Sequence, residues 1–197
     1  MQDAAVTHDQ PLVPGLGIPT GKFGMWVFLI SEIMFFTGLI GSYIVLRLGS
    51  SEWPKPGTIL NTPLLGLNTL VLLTSSLTMA LALNAIEQGR QAALKRYLLL
   101  TALLGSTFLA IKGVDYVHMW AHGFRMSSSL FGSCYYLLTG FHGLHVLSGV
   151  ILLLYLFAAA SKGAFSATEH TRIECSGLYW HFIDIVWVIL FAILCLV

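Results

Sequence analysis

The chain of 197 residues is 56% hydrophobic and only 10% charged, with a formal net charge of +1. Soluble domains carry about 25% charged residues, so this composition excludes a soluble globular enzyme and a disordered chain. A net charge this small also excludes a basic nucleic-acid-binding protein. Apolar surface this abundant needs lipid as its solvent, which predicts a polytopic membrane protein.

Five apolar segments follow a short N-terminal tail, and each is long enough to cross about 30 Å of hydrocarbon. Residues 1–22 are predicted as a cytoplasmic tail that lacks the features of a cleavable signal peptide. The predicted spans cover residues 23–48, 63–87, 94–118, 130–160 and 176–197. Lipid cannot satisfy open sheet edges, and the segments lack the alternation of barrel strands. The predicted fold class is therefore all-α, a bundle of five transmembrane helices.

Five crossings place the two termini on opposite sides of the membrane. The side of the N-terminus carries Lys22, Arg90, Lys95, Arg96, Lys162 and Arg172, against Arg47, Lys55, Lys112 and Arg125 on the other. This excess predicts a cytoplasmic N-terminus and an outer C-terminus. Trp53, Trp120 and Trp180 lie near the ends of predicted spans, which is typical of an interfacial aromatic belt.

Ionisable side chains inside the spans are the candidate functional residues, because charge at bilayer depth is costly unless it faces protein. Glu32 lies roughly 15 Å into the first span. It is either a proton-handling carboxyl or a protonated carboxyl bonded to a neighbouring helix. In the third span Lys112 and Asp115 share a helix face, which favours a local ion pair, and Tyr116 follows near the membrane surface.

Two histidines in the fourth span, His142 and His145, share a helix face with small residues beside them. Gly140, Gly143 and Gly149 are expected to let a second helix approach closely. Two histidines on one face can ligate a metal. The further ligands typical of a helical-bundle metal site do not appear in the sequence, so interhelical hydrogen bonding is favoured and no metal is expected.

The fifth span contains His181 and Asp184 on one face, next to Trp180. A helix that starts near Ser176 places Asp184 within about two turns of its N-terminus, where the helix dipole stabilises a carboxylate. The polar residues of the last three spans predict a seam between helices, which either conducts protons or only fixes the packing. Its predicted members are Lys112, Asp115, Tyr116, His142, His145, Trp180, His181 and Asp184, with Glu32 as a separate proton- or lipid-related carboxyl.

Four stretches in a fixed order resemble the motifs of one family. "WVFLISEIMFFTGLIGSYIVLR" carries Glu32, and "GSTFLAIKGVDY" is similar to G-x-x-F-L-x-x-[QK]-x-x-E-Y, with Asp115 where Glu is usual. "FGSCYYLLTGFHGLHVLSGV" resembles F-x-x-T-G-x-H-G-x-H-V-x-x-G, and "YWHFIDIVWVILF" resembles Y-W-H-F-V-D-x-V-W. From about Gly24 to the C-terminus the chain resembles subunit III of the haem–copper respiratory oxidases. It resembles the five-helix form, because the first two helices of seven-helix members are absent.

The resemblance implies an integral membrane subunit that packs against catalytic subunit I and itself carries no haem or copper, both of which are expected in partner subunits. The implied roles are to support proton uptake and stability and to hold phospholipid. Glu32 would lie near that lipid or the proton-entry region, and His142, His145, His181 and Asp184 would be interhelical contacts. We expect a place in the bacterial inner membrane, in a cytochrome c oxidase rather than a quinol oxidase.

Two alternatives stay open at this stage. A homologue associated with nitric oxide reductase would share the bundle but serve another catalytic partner. An independent proton-coupled transporter would also place carboxylates and histidines inside the membrane. No pair of broken helices or repeated half in the sequence indicates a transport site.

Overall fold

The computed structural model describes residues 12–14, 17–51, 53–54 and 60–196. Its long helices are α1 (Thr20–Gly49), α2 (Thr62–Glu87), α3 (Gln91–Ala121), α4 (Leu130–Ser161) and α5 (Thr171–Phe191), and α5 continues into the π-helical turn Ala192–Leu196. All five helices are long and apolar enough to cross a membrane. The predicted all-α, five-helix fold class is thus confirmed. Most of the predicted tail over residues 1–22 lies outside the described residues.

Local chemistry explains where α2 begins and how it turns into α3. The side chain of Asn61 accepts a hydrogen bond from the Leu64 N–H at 3.2 Å, which caps a helix end that otherwise lacks acceptors. At the other end Gly89 has a φ of +69°, which a residue with a side chain rarely adopts. The Arg90 N–H then donates to the Ala85 carbonyl at 2.8 Å. The resulting tight turn packs α3 directly against α2.

Helix α5 occupies the centre of the bundle and packs against α1, α2 and α4. The apolar stretch of α5 is 44% buried inside the bundle, whereas that of α1 is only 11% buried. Helix α1 therefore lies at the edge of the bundle, and most of its apolar surface points away from the other helices. That surface includes Ile30, Met34 and Val45, which are 56%, 72% and 70% exposed.

The start of α5 differs from the expectation used for Asp184. The helix begins at Thr171 rather than near Ser176, and the Glu174 N–H already donates to the His170 carbonyl at 3.2 Å. Asp184 consequently lies more than three turns from the helix N-terminus. The field of a helix end falls off within about one turn, so the helix dipole does not explain this carboxyl.

The side chain of Trp180 on α5 is 1% exposed and packs in the core against glycines of α3 and α4. A Cβ added at Gly149 would lie 2.8 Å from the indole, and one added at Gly105 would lie 2.6 Å from it. The expectation of close approach therefore holds at Gly149 but is wrong at Gly140, where a Cβ would meet nothing within 4 Å. The aromatic-belt interpretation is wrong for Trp180, because two glycines open a slot for it inside the bundle.

Candidate functional site

A carboxyl–imidazole pair joins the peripheral helix α1 to α4. Glu32 Oε2 lies 2.9 Å from His145 Nε2, and the two side chains are 19% and 17% exposed. His145 Nδ1 lies 2.7 Å from the Phe141 carbonyl oxygen, which can only accept, so this nitrogen carries a proton. The bond between Glu32 and His145 therefore contains one further proton. That proton resides either on the carboxyl of a neutral pair or on the imidazole of an ion pair.

Aromatic rings and hydroxyl groups surround this pair. The Phe36 ring meets the His145 ring at 5.0 Å between centroids, and the Phe35 ring stacks on it at 6.2 Å. On α5, the Tyr179 hydroxyl lies 2.7 Å from Ser148 Oγ and donates to the His145 carbonyl at 3.3 Å. The pair thus lies where α1, α4 and α5 meet, shielded on two sides by phenyl rings.

A second charged group is sealed inside the bundle. Lys112 Nζ donates to Asp115 Oδ2 at 3.1 Å and to the Tyr135 hydroxyl at 2.5 Å, while that hydroxyl donates to Asp115 Oδ2 at 3.1 Å. Lys112 and Asp115 are 4% and 5% exposed, and Nζ also lies 5.5 Å from the Trp187 ring centroid. This closed triangle neutralises both charges and ties α3 to α4. Tyr116 reinforces the same contact, since its hydroxyl lies 2.5 Å from Thr139 Oγ1.

The two histidines of α4 have different partners and do not converge on one point. His142 is buried, and its Nε2 donates to the Ile183 carbonyl on α5 at 3.2 Å. Its ring packs between Phe108 at 5.7 Å and Trp187 at 4.9 Å. His145 instead pairs with Glu32 on α1. Across the described residues, no group of three or more His, Cys, Asp or Glu side chains is placed to hold a metal ion.

The polar residues of α5 face hydroxyl groups on α2. Trp180 Nε1 donates to Ser75 Oγ at 3.0 Å, and His181 Nδ1 lies 2.6 Å from Ser76 Oγ. Asp184 is 3% exposed, and within the described part of the chain neither of its carboxyl oxygens has a hydrogen-bond partner. The predicted seam residues therefore divide into four places: the Glu32–His145 pair, the α3–α4 contacts around Lys112, the contact of His142 with α5, and the contacts between α2 and α5.

Several residues that take part in these contacts were not predicted from the sequence. They are Ser75 and Ser76 on α2, Tyr135 on α4 and the buried Thr69, which accepts from Trp187 Nε1 at 2.9 Å. The sequence of α2 contains a pattern that could have indicated them, because hydroxyl residues recur in this otherwise apolar segment: Thr69, Thr74, Ser75, Ser76 and Thr78. Hydroxyl side chains at bilayer depth commonly bond across helices.

Comparison with known proteins decides the family. The sequence matches the family described as cytochrome c oxidase subunit III over residues 7–196. The chain belongs to the cytochrome c oxidase subunit III family. It is 39% identical over 173 residues to cytochrome c oxidase subunit 3 of Synechocystis sp., covering 87% of this chain and 73% of that relative. It is 40% identical over 170 residues to the probable cytochrome c oxidase subunit 3 of Nocardia farcinica, covering 86% and 84% of the two chains.

Membership in the subunit III family confirms the resemblance carried by the four motifs. An oxidase subunit III works within a complex with other oxidase subunits, so the chain is a component of a respiratory oxidase. Its five apolar helices make it a multi-pass membrane protein. The probable cytochrome c oxidase subunit 3 of Mycobacterium leprae is similar to the same extent, with 40% identity over 172 residues that cover 87% of this chain and 85% of the relative.

Proposed function

We propose that the chain is a non-redox subunit of a bacterial cytochrome c oxidase that packs on the catalytic subunit, supports its proton uptake and stability, and holds phospholipid. Haem and copper then reside in the partner subunits. The proposal places the complex in the inner membrane, with the N-terminus cytoplasmic and the C-terminus outside. Family membership and the names of the relatives support an oxidase that takes electrons from cytochrome c.

The observation that carries the proton-related part of this proposal is the Glu32–His145 pair. It contains one proton that can lie on either partner, and it is partly accessible from the edge of the bundle. A carboxyl in this position can exchange a proton with a group of a neighbouring subunit packed on α1, whereas a sealed ion pair cannot. Helix α1, which carries Glu32, also presents the broad apolar surface that a membrane partner or lipid would cover.

The test is to purify the oxidase with and without this chain and to follow its turnover over time. The proposal expects the depleted enzyme to lose activity faster and to take up protons more slowly than the complete complex. Co-purification followed by haem spectroscopy identifies the catalytic partner. If initial rate, proton pumping and lifetime all survive removal of the chain, the supporting role is wrong.

A further inference from the structure

A large apolar pocket opens between the end of α3 and the start of α4, away from the Glu32–His145 pair. Its volume is about 860 Å³, within the range of roughly 300–1,000 Å³ typical of pockets that bury small ligands. The residues that matter for its chemistry are Tyr116, Val117, Trp120, Arg125, Met126 and Tyr136.

The pocket contains one cation, Arg125, in an otherwise largely apolar lining. Its guanidinium lies 5.9 Å from the centroid of the Trp120 ring. No carboxylate lies within ion-pair distance of it among the residues that the structure describes. A guanidinium at the end of a membrane helix, with an aromatic ring on one side, can bind phosphate oxygens through two parallel hydrogen bonds.

The backbone that carries Arg125 is fixed in place. The Arg125 N–H donates to Ser128 Oγ at 3.1 Å, and the same hydroxyl donates back to the Arg125 carbonyl at 2.6 Å. The loop is also tied to α4, because Tyr136 Oη donates to the Phe124 carbonyl at 2.8 Å and Ser133 Oγ donates to the Met126 carbonyl at 2.6 Å. The backbone from which the Arg125 side chain extends is therefore positioned before any ligand arrives, which lowers part of the entropic cost of binding.

The apolar walls of the pocket run from this loop into the membrane. The Tyr116 and Tyr136 rings meet at 5.0 Å between centroids and form one wall. Val117 and Trp120 are 70% and 65% exposed on the α3 side. Because Trp120 lies at the end of a membrane-spanning helix, this mouth is at the level where lipid headgroups meet the hydrocarbon.

We propose that this pocket binds one anionic phospholipid, with its phosphate on Arg125 and an acyl chain along Val117 and the two tyrosine rings. Within the described residues Arg125 has no carboxylate partner, and a cation above an apolar groove matches a ligand that has one anionic end and an apolar tail. A helix from another subunit that covered the pocket would have to bring a carboxylate to neutralise Arg125. The inference rests on the proposed lipid-holding role and gives it a site.

The test quantifies phospholipid retained by the purified complex after a detergent wash, using mass spectrometry. Val117→Trp fills the pocket, whereas Val114→Trp places the same bulk at a similarly exposed position (67%) one turn earlier on α3, outside the lining. We expect Val117→Trp to lose one phosphatidylglycerol per complex and Val114→Trp to retain it. Equal retention by the two variants would overturn the proposal.

The charge is tested by titrating lipid back into delipidated complex. Arg125→Gln is expected to weaken phosphatidylglycerol binding about tenfold, which is about 1.4 kcal/mol, and to weaken phosphatidylethanolamine binding less, because the ammonium of that lipid already neutralises its phosphate. Arg96→Gln, an exposed arginine near the other end of α3, is the control and should behave as wild type. Unchanged phosphatidylglycerol binding by Arg125→Gln would refute the inference. A density map of the complex that shows a protein side chain in the pocket would also refute it.

These outcomes separate the pocket from the proposed function. If the chain co-purifies with haem-bearing subunits but the lipid comparisons show no difference, only the lipid site is wrong. If the chain purifies without haem-bearing subunits, the proposed function is wrong. The same lipid comparison on the membrane complex it does purify with then decides the pocket.

Discussion

The slot for Trp180 provides the sharpest test of how this bundle is held together. Gly149→Ala adds a methyl group whose carbon would lie 2.8 Å from the indole and 3.3 Å from Ile183 Cδ1. Gly140→Ala makes the same change on the same helix, where the methyl group would meet nothing within 4 Å. Both substitutions remove the conformational entropy cost of a helical glycine, so their difference isolates the close contact.

The expected size of the effect follows from these distances. Carbon atoms pack best at about 3.5–4.0 Å, so the indole must move by roughly 1 Å to accept the methyl group. Such overpacking costs about 1–3 kcal/mol. The movement also strains the 3.0 Å hydrogen bond from Trp180 Nε1 to Ser75, which contributes about 1 kcal/mol. Replacing a helical glycine by alanine returns about 0.5–1 kcal/mol in both variants. We therefore expect Gly149→Ala to be about 2–4 kcal/mol less stable than Gly140→Ala.

The assay is SDS-induced unfolding of the purified chain in mixed micelles, followed by tryptophan fluorescence. The free energy of unfolding should fall for Gly149→Ala and stay equal or rise for Gly140→Ala. Gly105→Ala should resemble Gly149→Ala, because its added carbon would lie 2.6 Å from the same indole. If Gly149→Ala and Gly140→Ala unfold at the same SDS fraction, the slot does not limit the packing of these helices.

Three further predictions concern the buried polar groups. Glu32→Gln should leave the complex assembled, because the amide can still donate to the imidazole, and should lower initial turnover by less than about tenfold, because Glu32 is proposed to support proton uptake and not to be the direct proton donor of the reaction, whose loss would cost about 10²–10⁴. Failure to assemble on a gel would mean that the carboxyl is mainly structural. His142→Ala should cost about 2–4 kcal/mol, from a cavity and a lost interhelical hydrogen bond, and should weaken retention of the subunit on detergent extraction; unchanged retention would count against its interhelical role. Lys112→Met alone should destabilise the chain by about 3–5 kcal/mol in SDS unfolding, while Lys112→Met combined with Asp115→Leu should be closer to wild type. The reverse order would show that the two charges are not coupled.

The sequence predicts the helices of this protein well, for a simple physical reason. A segment that crosses lipid must be long, apolar and helical, so hydropathy alone finds all five. The partnership of Lys112 with Asp115 is equally accessible, because two residues three apart on one helix are neighbours whatever the rest of the fold does. The four family motifs, which occur in a fixed order along the chain, add the identity of the subunit.

Contacts between helices could not be predicted in the same way. In a soluble bundle the apolar face shows which side of a helix points inward, but here apolar residues cover every side, because lipid and core have the same polarity. The rotation of each helix is thus invisible in the pattern. The pairing of Glu32 with His145, which are far apart in sequence, and the burial of Trp180 both depend on that rotation.

The two acidic groups that the motifs highlight differ in a way that bears on function. Asp115 is 5% exposed, and its Oδ2 accepts hydrogen bonds from Lys112 and Tyr135, so this carboxylate is held within a buried contact between α3 and α4. The Glu32 side chain is 19% exposed, shares a single proton with His145 and lies on the helix with the largest unburied surface. Exchange of a proton needs an alternative acceptor and access to a neighbouring group. Of the two acidic groups, Glu32 has a neutralisable partner in His145 and the more exposed side chain, so we propose the proton-handling role there and a purely structural role for Asp115.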